Sequence, residues 1–194
     1  HHYLYNKKEY QPDSENSFAP ALCSRLDRNT CGLVTSAKTA AALRDINEAI
    51  RCGRLHKIYH CVTVSPPPKK EDIITAYHQK DESRNLVKIS DSPVEGYKPI
   101  KTGYRVIAFN GKLSLVEITL YTGRTHQIRV HMSHSGHPLL GDSLYGKGIK
   151  NNHGMNRTAL HARSLSFLQP VEEKQLVFTA EIPDDMKAVI KSGK

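Results

Sequence analysis

An aspartate in an apolar setting is the first residue of this sequence whose type could do chemistry. Asp27 lies in the stretch RLDRNTCGL, with Leu26 before it and Leu33 and Val34 shortly after it. A buried carboxylate is unfavourable unless it is paired and hydrogen-bonded, so such an aspartate is either held for structure or kept for a reaction. The rest of the sequence has to supply its partner.

A second stretch, GRTHQIRVHMSHSGHPLLGD, concentrates basic side chains. Its histidines are His126, His131, His134 and His137. His131 and His134 lie one helical turn apart, which is one arrangement for a metal site, but the stretch lacks the cysteine or carboxylate set that completes most such sites. We therefore interpret it as a cationic helix with a buried apolar side, and we predict no metal.

Arg124 follows Gly123 at the point where this helix is expected to begin. A guanidinium is planar and permanently charged, and it can hold a carboxylate by two hydrogen bonds. A neighbouring cation also favours the ionised form of a carboxyl group. We predict that Arg124 is the partner of Asp27.

Tyr59, in the stretch HKIYHCVTV, is the third candidate. Taken alone, a tyrosine in a strand more often belongs to a core, with its hydroxyl satisfied there. The functional alternative is a ring that stacks on a flat substrate with its hydroxyl near the reacting atom. Tyr59 by itself leaves both interpretations open.

The charge balance favours a polyanionic partner. The 194 residues include 28 Lys and Arg against 19 Asp and Glu, a net charge of +9. Such an excess suits contacts with phosphates and the release of counterions from nucleic acid. The length fits one domain, and the hydrophobic fraction of 38% without a long apolar run predicts a soluble protein that does not enter a membrane.

The cysteines show neither a C-x-x-C pair nor a zinc-type spacing. They are Cys23, Cys31, Cys52 and Cys61. In a chain of this size we interpret them as reduced thiols of an intracellular protein. No signal peptide is visible, and we expect a cytoplasmic location.

The hydrophobic pattern predicts more strands than helices. Residues 39–51 repeat apolar side chains on one helical face, and Gly53 is placed to end that helix. Residues 56–64 predict a strand that stops at PPP, and residues 73–77 and 86–89 predict two more. The segment CGLVTSAK predicts a short strand before the helix.

The second half predicts hairpins around one helix. Asn110-Gly111 predicts a type I′ turn, which needs positive φ at both central residues. Thr125 can cap a short helix whose Ile128 and Met132 face inward, and Gly136 suits the position past its end. ALHARSLSF and KQLVFTAEI predict two closing strands, followed by a short helix from Pro183. The expected fold class is α+β, with a mixed, mainly antiparallel sheet flanked by short helices.

Three stretches together resemble a known family. RLDRNTCGL, GRLHKIY and GRTHQIRVHMSHSGHPLLGDSLYG are similar to the signature blocks of the RluA-type pseudouridine synthases, in the same order and at comparable separations. The family pattern around the first block is H-R-L-D-x-x-T-S-G. Here Ser24 replaces the leading His and Cys31 replaces the Ser, while the other positions fit. LHARSLSF resembles a further family segment, so the resemblance runs from about Cys23 to the last strand.

The resemblance implies an enzyme that isomerises uridine in RNA to pseudouridine without a cofactor or a metal. Asp27 would be the catalytic aspartate, Tyr59 would stack on the base and serve in removing the C5 proton, and Arg124 would pair with Asp27. Arg25 would hold the flipped-out nucleotide or fill its gap in the helix. The other residues expected to bind substrate are Thr30, His126, Gln127 and Arg129. Ribosomal RNA is the expected partner, transfer RNA is the alternative, and we expect a monomer.

The reaction suits these residue types. Release of uracil needs a carboxylate near the anomeric carbon, either to attack it or to take the 2′ proton by way of a glycal, and the sequence leaves both routes open. Reaching the base requires unstacking it, at about a few kcal/mol. A tyrosine face and basic side chains along RLHK and RTHQIR can offset that energy.

Three other functions compete with this interpretation. The first is an RNA-binding module without activity, in which the aspartate–arginine pair only joins two segments. The second is an N-glycosidase that releases the base outright, and the third is DNA binding by charge, for which no recognition helix or zinc finger is visible.

The expected domain organisation is an irregular arm over residues 1–20 and a pseudouridine synthase catalytic domain over residues 21–194. The S4-type RNA-binding domain that relatives often carry is not recognisable in the sequence, and neither is the family's N-K-P-x-G loop before Ser24.

Overall fold

One eight-stranded sheet is the main element of the described part of the chain. The structure, a computed structural model, describes residues 2–10, 18–81, 86–146, 148–149, 153–169 and 174–191. The strands are β1 Ala21–Leu22, β2 Cys31–Gly32, β3 Ser36–Ala37, β4 His56–Thr63, β5 Glu71–Asp81, β6 Leu86–Ser90, β7 Lys98–Phe109, β8 Ser114–Leu120, β9 Leu160–Gln169 and β10 Lys174–Thr179. The helices are α1 His2–Asn6, α2 Ala40–Arg51, α3 Gln127–His134 and α4 Asp184–Lys191.

The sheet is mainly antiparallel. Its order is β10-β9-β4-β8-β7-β5-β6, and β2 is an eighth strand that pairs with β9 in parallel. The other pairs are antiparallel, and β1 and β3 form a separate two-stranded ribbon. The predicted α+β class with a mixed, mainly antiparallel sheet is confirmed.

The helix predicted over residues 39–51 is confirmed as α2. Thr39 is its N-cap, with extended backbone and with Oγ1 accepting from the Ala42 N–H at 3.2 Å. Gly53 follows the helix with a φ of +70°, as expected of a residue that ends a helix. The predicted closing strands and the last helix are found as β9, β10 and α4.

Three local predictions need correction. The strand predicted in CGLVTSAK is broken into β2 and β3, because Gly32 has a φ of +111° and lies so close to Ala162 that a Cβ would collide with its carbonyl.

The turn at residues 110–113 is not type I′, since only Gly111 of its central pair has positive φ. The side chain of Asn110 closes it, accepting from the N–H groups of Lys112 and Leu113. The irregular arm predicted for residues 1–20 includes α1, and residues 11–17 lie outside the described part of the chain.

Helix α3 begins differently from the prediction. Its N-cap is His126 rather than Thr125, and no side chain caps the helix. His126 has a φ of +52°, in the left-handed region, which a residue with a Cβ adopts at an energetic cost. Ile128 and Met132 are buried as predicted, and Gly136 follows the helix end with a φ of +87°.

Two cores lie on opposite faces of the sheet. Successive side chains of a strand point to opposite faces, so Cys61 belongs to one core and Val62 to the other. Helix α3 packs Ile128 and Met132 into the first core, and α4 packs Met186 into the second. Among the described residues no helix is long and apolar enough to cross a membrane.

A polar network fixes α3 to the sheet. Thr102 Oγ1 lies 3.0 Å from the Gln127 amide nitrogen, which donates to it, and 3.0 Å from His131 Nδ1. These two contacts hold the buried His131 ring and the Gln127 amide against β7. Burial lowers the pKa of His131 to about 4. His134, by contrast, contacts Asp91, so the two histidines of the metal hypothesis have separate partners.

We predict that His131 makes stability depend on pH. The unfolded histidine takes up a proton near pH 6.5, whereas the folded one does so only near pH 4. Stability is therefore complete above pH 6.5 and falls as pH drops towards 4, by about 2 kcal/mol between pH 7.5 and pH 5. His131→Asn, which keeps a group that can bond Thr102, should reduce the difference between urea unfolding free energies at these two pH values by that amount.

A control on the same helix separates this effect from general destabilisation. Ser133→Ala removes a hydrogen bond to the Tyr145 carbonyl but no titratable group. It should keep the pH difference of the parent protein. An unchanged difference in His131→Asn would contradict the assignment.

Candidate active site

The loop between β1 and β2 carries Asp27. The Thr30 N–H donates to the Asp27 carbonyl at 3.0 Å, which closes a tight turn. Asn29 inside that turn has a φ of +69°, a conformation that asparagine tolerates better than most residues. The loop thus presents the Asp27 side chain from a turn fixed by its own backbone.

Arg129 is the cation that shares the surroundings of Asp27. Its Nη1 lies 3.7 Å from Asp27 Oδ2, an ion-pair distance. Its Nε and Nη2 donate to the two oxygens of Asp142 at 2.7 and 2.8 Å. The side chains of Arg129 and Asp142 are 6% and 0% exposed, whereas that of Asp27 is 24% exposed. The buried guanidinium of Arg129 therefore contacts both the fully buried carboxylate of Asp142 and the partly exposed carboxylate of Asp27.

The prediction that Arg124 pairs with Asp27 is wrong. Arg124 lies before α3 begins, and its backbone N–H is bound by the side chain of Gln127. Arg129 is inside the helix, on the side that faces Asp142. Arg124 instead lines the cavity in front of Asp27.

Asp142 is ionised where it binds Arg129. Burial opposes ionisation of Asp142, but hydrogen bonds from Arg129 and from the N–H groups of Leu144 and Tyr145 outweigh it, and its pKa lies below the ordinary value. The pKa of Arg129 is raised, since the two carboxylates outweigh the effect of its burial. Both groups are charged at neutral pH.

Tyr59 reaches the same place from β4. The pairing of β4 with β9 shifts register between Ile58 and Tyr59, an irregularity that re-aims side chains. Burial, and after it the negative charge of Asp27, raises the pKa of Tyr59 to about 12. Tyr59 is therefore a neutral phenol, close enough to Asp27 to sense its charge.

His126 is oriented by a tyrosine behind it. Its Nδ1 lies 2.9 Å from the Tyr145 hydroxyl oxygen. The guanidinium of Arg129 lies over the Tyr145 ring, 5.3 Å from its centroid. The contact with Tyr145 engages Nδ1, and among the described residues no hydrogen bond reaches Nε2.

His126 borders a cavity. It belongs to the lining, whereas Tyr145, which contacts Nδ1 of the ring, does not. Burial lowers the pKa of His126, with a further contribution from Arg129, and Asp27 only partly opposes this. The uncharged form of His126 is therefore favoured.

The cavity has a volume of about 400 Å³. Among the described residues its lining includes one carboxylate, Asp27, and five basic side chains: Arg25, Arg28, Lys57, Lys80 and Arg124. Burial lowers the pKa of Lys57, and among the described residues no carboxylate forms an ion pair with it. Thr30 Oγ1 is buried without a hydrogen-bond partner among the described residues. The site therefore has polar groups available to a polyanionic or polar ligand.

Most residues predicted from the sequence line this one cavity. These are Arg25, Asp27, Thr30, Tyr59, Arg124, His126 and Gln127. Arg129 lies behind the lining, so its place in the structure is that of a charge partner and not of a substrate ligand.

Gln127 needs a similar correction. Its Oε1 accepts from Thr122 Oγ1 and the Arg124 N–H at 2.9 and 3.0 Å. Its Nε2 donates to the Lys101 carbonyl and Thr102 Oγ1 at 3.2 and 3.0 Å. Because these bonds occupy both ends of the amide, the side chain holds the start of α3 and is not available to a substrate.

Sequence reasoning missed Asp142, Tyr145 and Lys57 as members of the site. Asp142 and Tyr145 belong to the stretch that ends LLGDSLYG. The sequence signal for them was an aspartate directly after a glycine, followed three residues later by a tyrosine. Lys57 precedes Tyr59 by two residues, and alternation along a strand places such a pair on one face.

Comparisons with known proteins agree on one family. The family model described as RNA pseudouridylate synthase matches residues 1–134. The chain is 35% identical over 178 residues to a ribosomal large subunit pseudouridine synthase D of Zymomonas mobilis, covering 89% of this chain and 56% of the relative. The corresponding protein of Yersinia pestis is 34% identical over 199 residues, with 95% and 59% covered.

A solved structure gives the same result. Human RNA Pseudouridylate Synthase Domain Containing 1 superposes with a TM-score of 0.74 at 25% identity, covering 88% of this chain and 73% of that one. The chain spans little more than half the length of the curated relatives it matches. With a matching family model over most of its residues and the same fold, the chain belongs to the RNA pseudouridylate synthase family.

Proposed function

We propose that this chain isomerises uridine in RNA to pseudouridine, with Asp27 as the catalytic carboxylate. The observation that carries the proposal is the carboxylate of Asp27, the one carboxylate among the described residues of the cavity lining, which a buried guanidinium pairs with and five basic side chains accompany. Ribosomal RNA is the favoured substrate because relatives at 34–35% identity are named for the ribosomal large subunit. Transfer RNA is the alternative substrate.

The basic lining suits a nucleotide removed from its stack. Phosphates on either side of a flipped uridine need cations near the cavity mouth, and Arg25, Arg124 and Lys57 supply them. The partly buried ammonium of Lys57 gains an anionic partner when a phosphate arrives. These contacts offset the energy of unstacking, about a few kcal/mol.

Asp27 acts on the sugar. Its carboxylate either attacks the anomeric carbon or removes the 2′ proton, and both routes break the bond between C1′ and N1 of uracil. The buried pair of Arg129 with Asp142 fixes the cation beside Asp27, so this charge does not have to reorganise during the reaction.

The departing uracil carries negative charge on its ring nitrogen and oxygens. The Nε2–H of His126 can donate to a uracil oxygen without adding a full positive charge that would pair with Asp27. Such a donor stabilises charge where it develops.

Tyr59 provides a surface for the base. A neutral phenol can stack on uracil and hold it while it turns to present C5. Removal of the C5 proton by Tyr59 requires the phenolate, which burial and Asp27 both oppose. We therefore assign stacking to Tyr59 as its main contribution.

We also propose that the protein acts as a monomer in the cytoplasm. The relatives are named for the ribosomal large subunit, and in bacteria ribosomal RNA is found in the cytoplasm.

Asp27→Asn is expected to abolish pseudouridine formation. The change removes the charge that acts on the sugar but keeps the shape of the loop, so activity should fall by at least about 10³-fold while RNA binding persists. Tritium release from ribosomal and transfer RNA transcripts labelled at C5 of uridine measures the reaction. Asp45→Asn, at an exposed position of α2, is the matched control and should remain active.

The same assay separates the competing functions. Wild-type protein that binds RNA without releasing tritium is an RNA-binding module. Release of free uracil with abasic RNA identifies a glycosidase. Full activity of Asp27→Asn would remove Asp27 from the mechanism.

His126 is expected to contribute through its Nε2–H. His126→Leu should lower kcat by about 10²-fold, the effect of losing one well-placed donor. His126→Gln, whose amide can place an N–H near the same point, should recover part of that loss. Equal activity of the leucine and glutamine variants in single-turnover kinetics would contradict a hydrogen-bonding role.

Lys57 is expected to act in binding. Lys57→Met should weaken RNA affinity and reduce the slope of log Kd against log salt by about one, the effect of one lost phosphate contact. Lys187→Met, on α4 and outside the cavity lining, is the control. An unchanged salt slope measured by fluorescence anisotropy would rule out the contact.

A further inference from the structure

A thiol and an imidazole lie in contact beside the cavity, outside its lining. Cys31 Sγ is 3.4 Å from His161 Nδ1 and 3.8 Å from the Leu160 carbonyl oxygen. The contact is built into the fold, because Cys31 and His161 are paired residues of β2 and β9. Cys31 is partly exposed, whereas His161 is buried.

The imidazole is oriented so that it can accept a proton from the thiol. His161 Nε2 lies 3.2 Å from the Ala180 carbonyl. A carbonyl oxygen only accepts, so Nε2 carries the ring proton and the lone pair of Nδ1 faces Cys31. A nucleophile, a base and a group that orients the base are the parts that activate a cysteine.

The other cysteines lack this environment. Burial raises the pKa of Cys61, which is fully buried, and that of Cys23. Cys52 is exposed, but its Sγ lies 2.8 Å from a carboxylate oxygen of Glu48, and a thiolate there would face a negative charge.

We propose that Cys31 is a modification site for small soft electrophiles, activated by His161. The S–H proton moves to Nδ1, sulfur attacks the electrophilic carbon and a C–S bond forms. With an α-halo amide, the carbon–halogen bond breaks and the halide leaves with its electron pair. The family pattern has a serine at this position, so this chemistry follows from the cysteine of this chain.

An adduct on Cys31 also affects the catalytic loop, and this second part rests on the proposed function. Gly32 lies against the backbone of Ala162, so β2 is tightly packed on β9 and no free space for an adduct lies between the two strands next to Cys31. The turn that carries Asp27 ends at Thr30, one residue before Cys31. Leu160, whose carbonyl contacts the thiol, lines the cavity. An adduct should therefore displace β2 and move Asp27 away from Arg129.

Labelling with iodoacetamide tests the first part without any activity measurement. At neutral pH, peptide mass spectrometry should show Cys31 reacting about tenfold faster than the more exposed Cys52 in the folded protein, and at an equal rate in urea. His161→Asn should lower the Cys31 rate and leave Cys52 unchanged. If that variant does not fold, the alkylation rate of Cys31 in the folded parent protein is compared with its rate in urea. A faster rate in the folded protein supports the proposal. Cys31 that reacts no faster than Cys52 in the folded protein overturns the proposal.

Activity after labelling tests the second part. Protein alkylated at Cys31 should lose tritium release from uridine-labelled RNA, whereas Cys31→Ser treated in the same way should keep it. Full activity of the alkylated protein overturns the coupling to the catalytic loop. A parent protein that is inactive before labelling contradicts the proposed function, while the labelling rates still decide the assignment of Cys31.

Discussion

The site depends on one buried guanidinium held between two carboxylates. Arg129 is fixed by two hydrogen bonds to Asp142 and leaves one nitrogen directed at Asp27. Through these contacts α3, the loop after it and the loop before β2 share a single cation. Loss of Arg129 or Asp142 would leave the other as an uncompensated charge in the interior, which is strongly destabilising. Stability and reactivity are therefore linked at Arg129.

The parts of the fold that could be predicted from the sequence are those with local causes. The apolar repeat and Thr39 define α2, and the alternating residues define the long strands. The break between β2 and β3 has a tertiary cause, the close approach of Gly32 to Ala162. The left-handed backbone at His126 has no signal in the sequence around Thr125, and the Tyr145 side chain that contacts His126 lies 19 residues further on.

The candidate site was predicted well at the level of stretches and less well at the level of side chains. The quoted blocks supply most of the cavity lining. Arg124 and Arg129 are five residues apart, and which of them meets Asp27 depends on where α3 starts and on the position of Asp142. Gln127 was expected to meet substrate, but the backbone groups it must satisfy come from β7, far along the chain. Which arginine contacts Asp27, and what Gln127 binds, is determined by the packing between elements that are separate in the sequence.

The Tyr145 hydroxyl has a consequence at the rim of the sheet. Strand β6 is the last strand of the sheet order, so its outer row of backbone groups has no further strand to pair with. The Val87 backbone on this strand is near enough to the Tyr145 hydroxyl to influence its pKa, so the Tyr145 side chain lies beside part of an edge that could otherwise recruit a foreign strand. Protection against edge-to-edge association and the orientation of His126 thus depend on the same side chain.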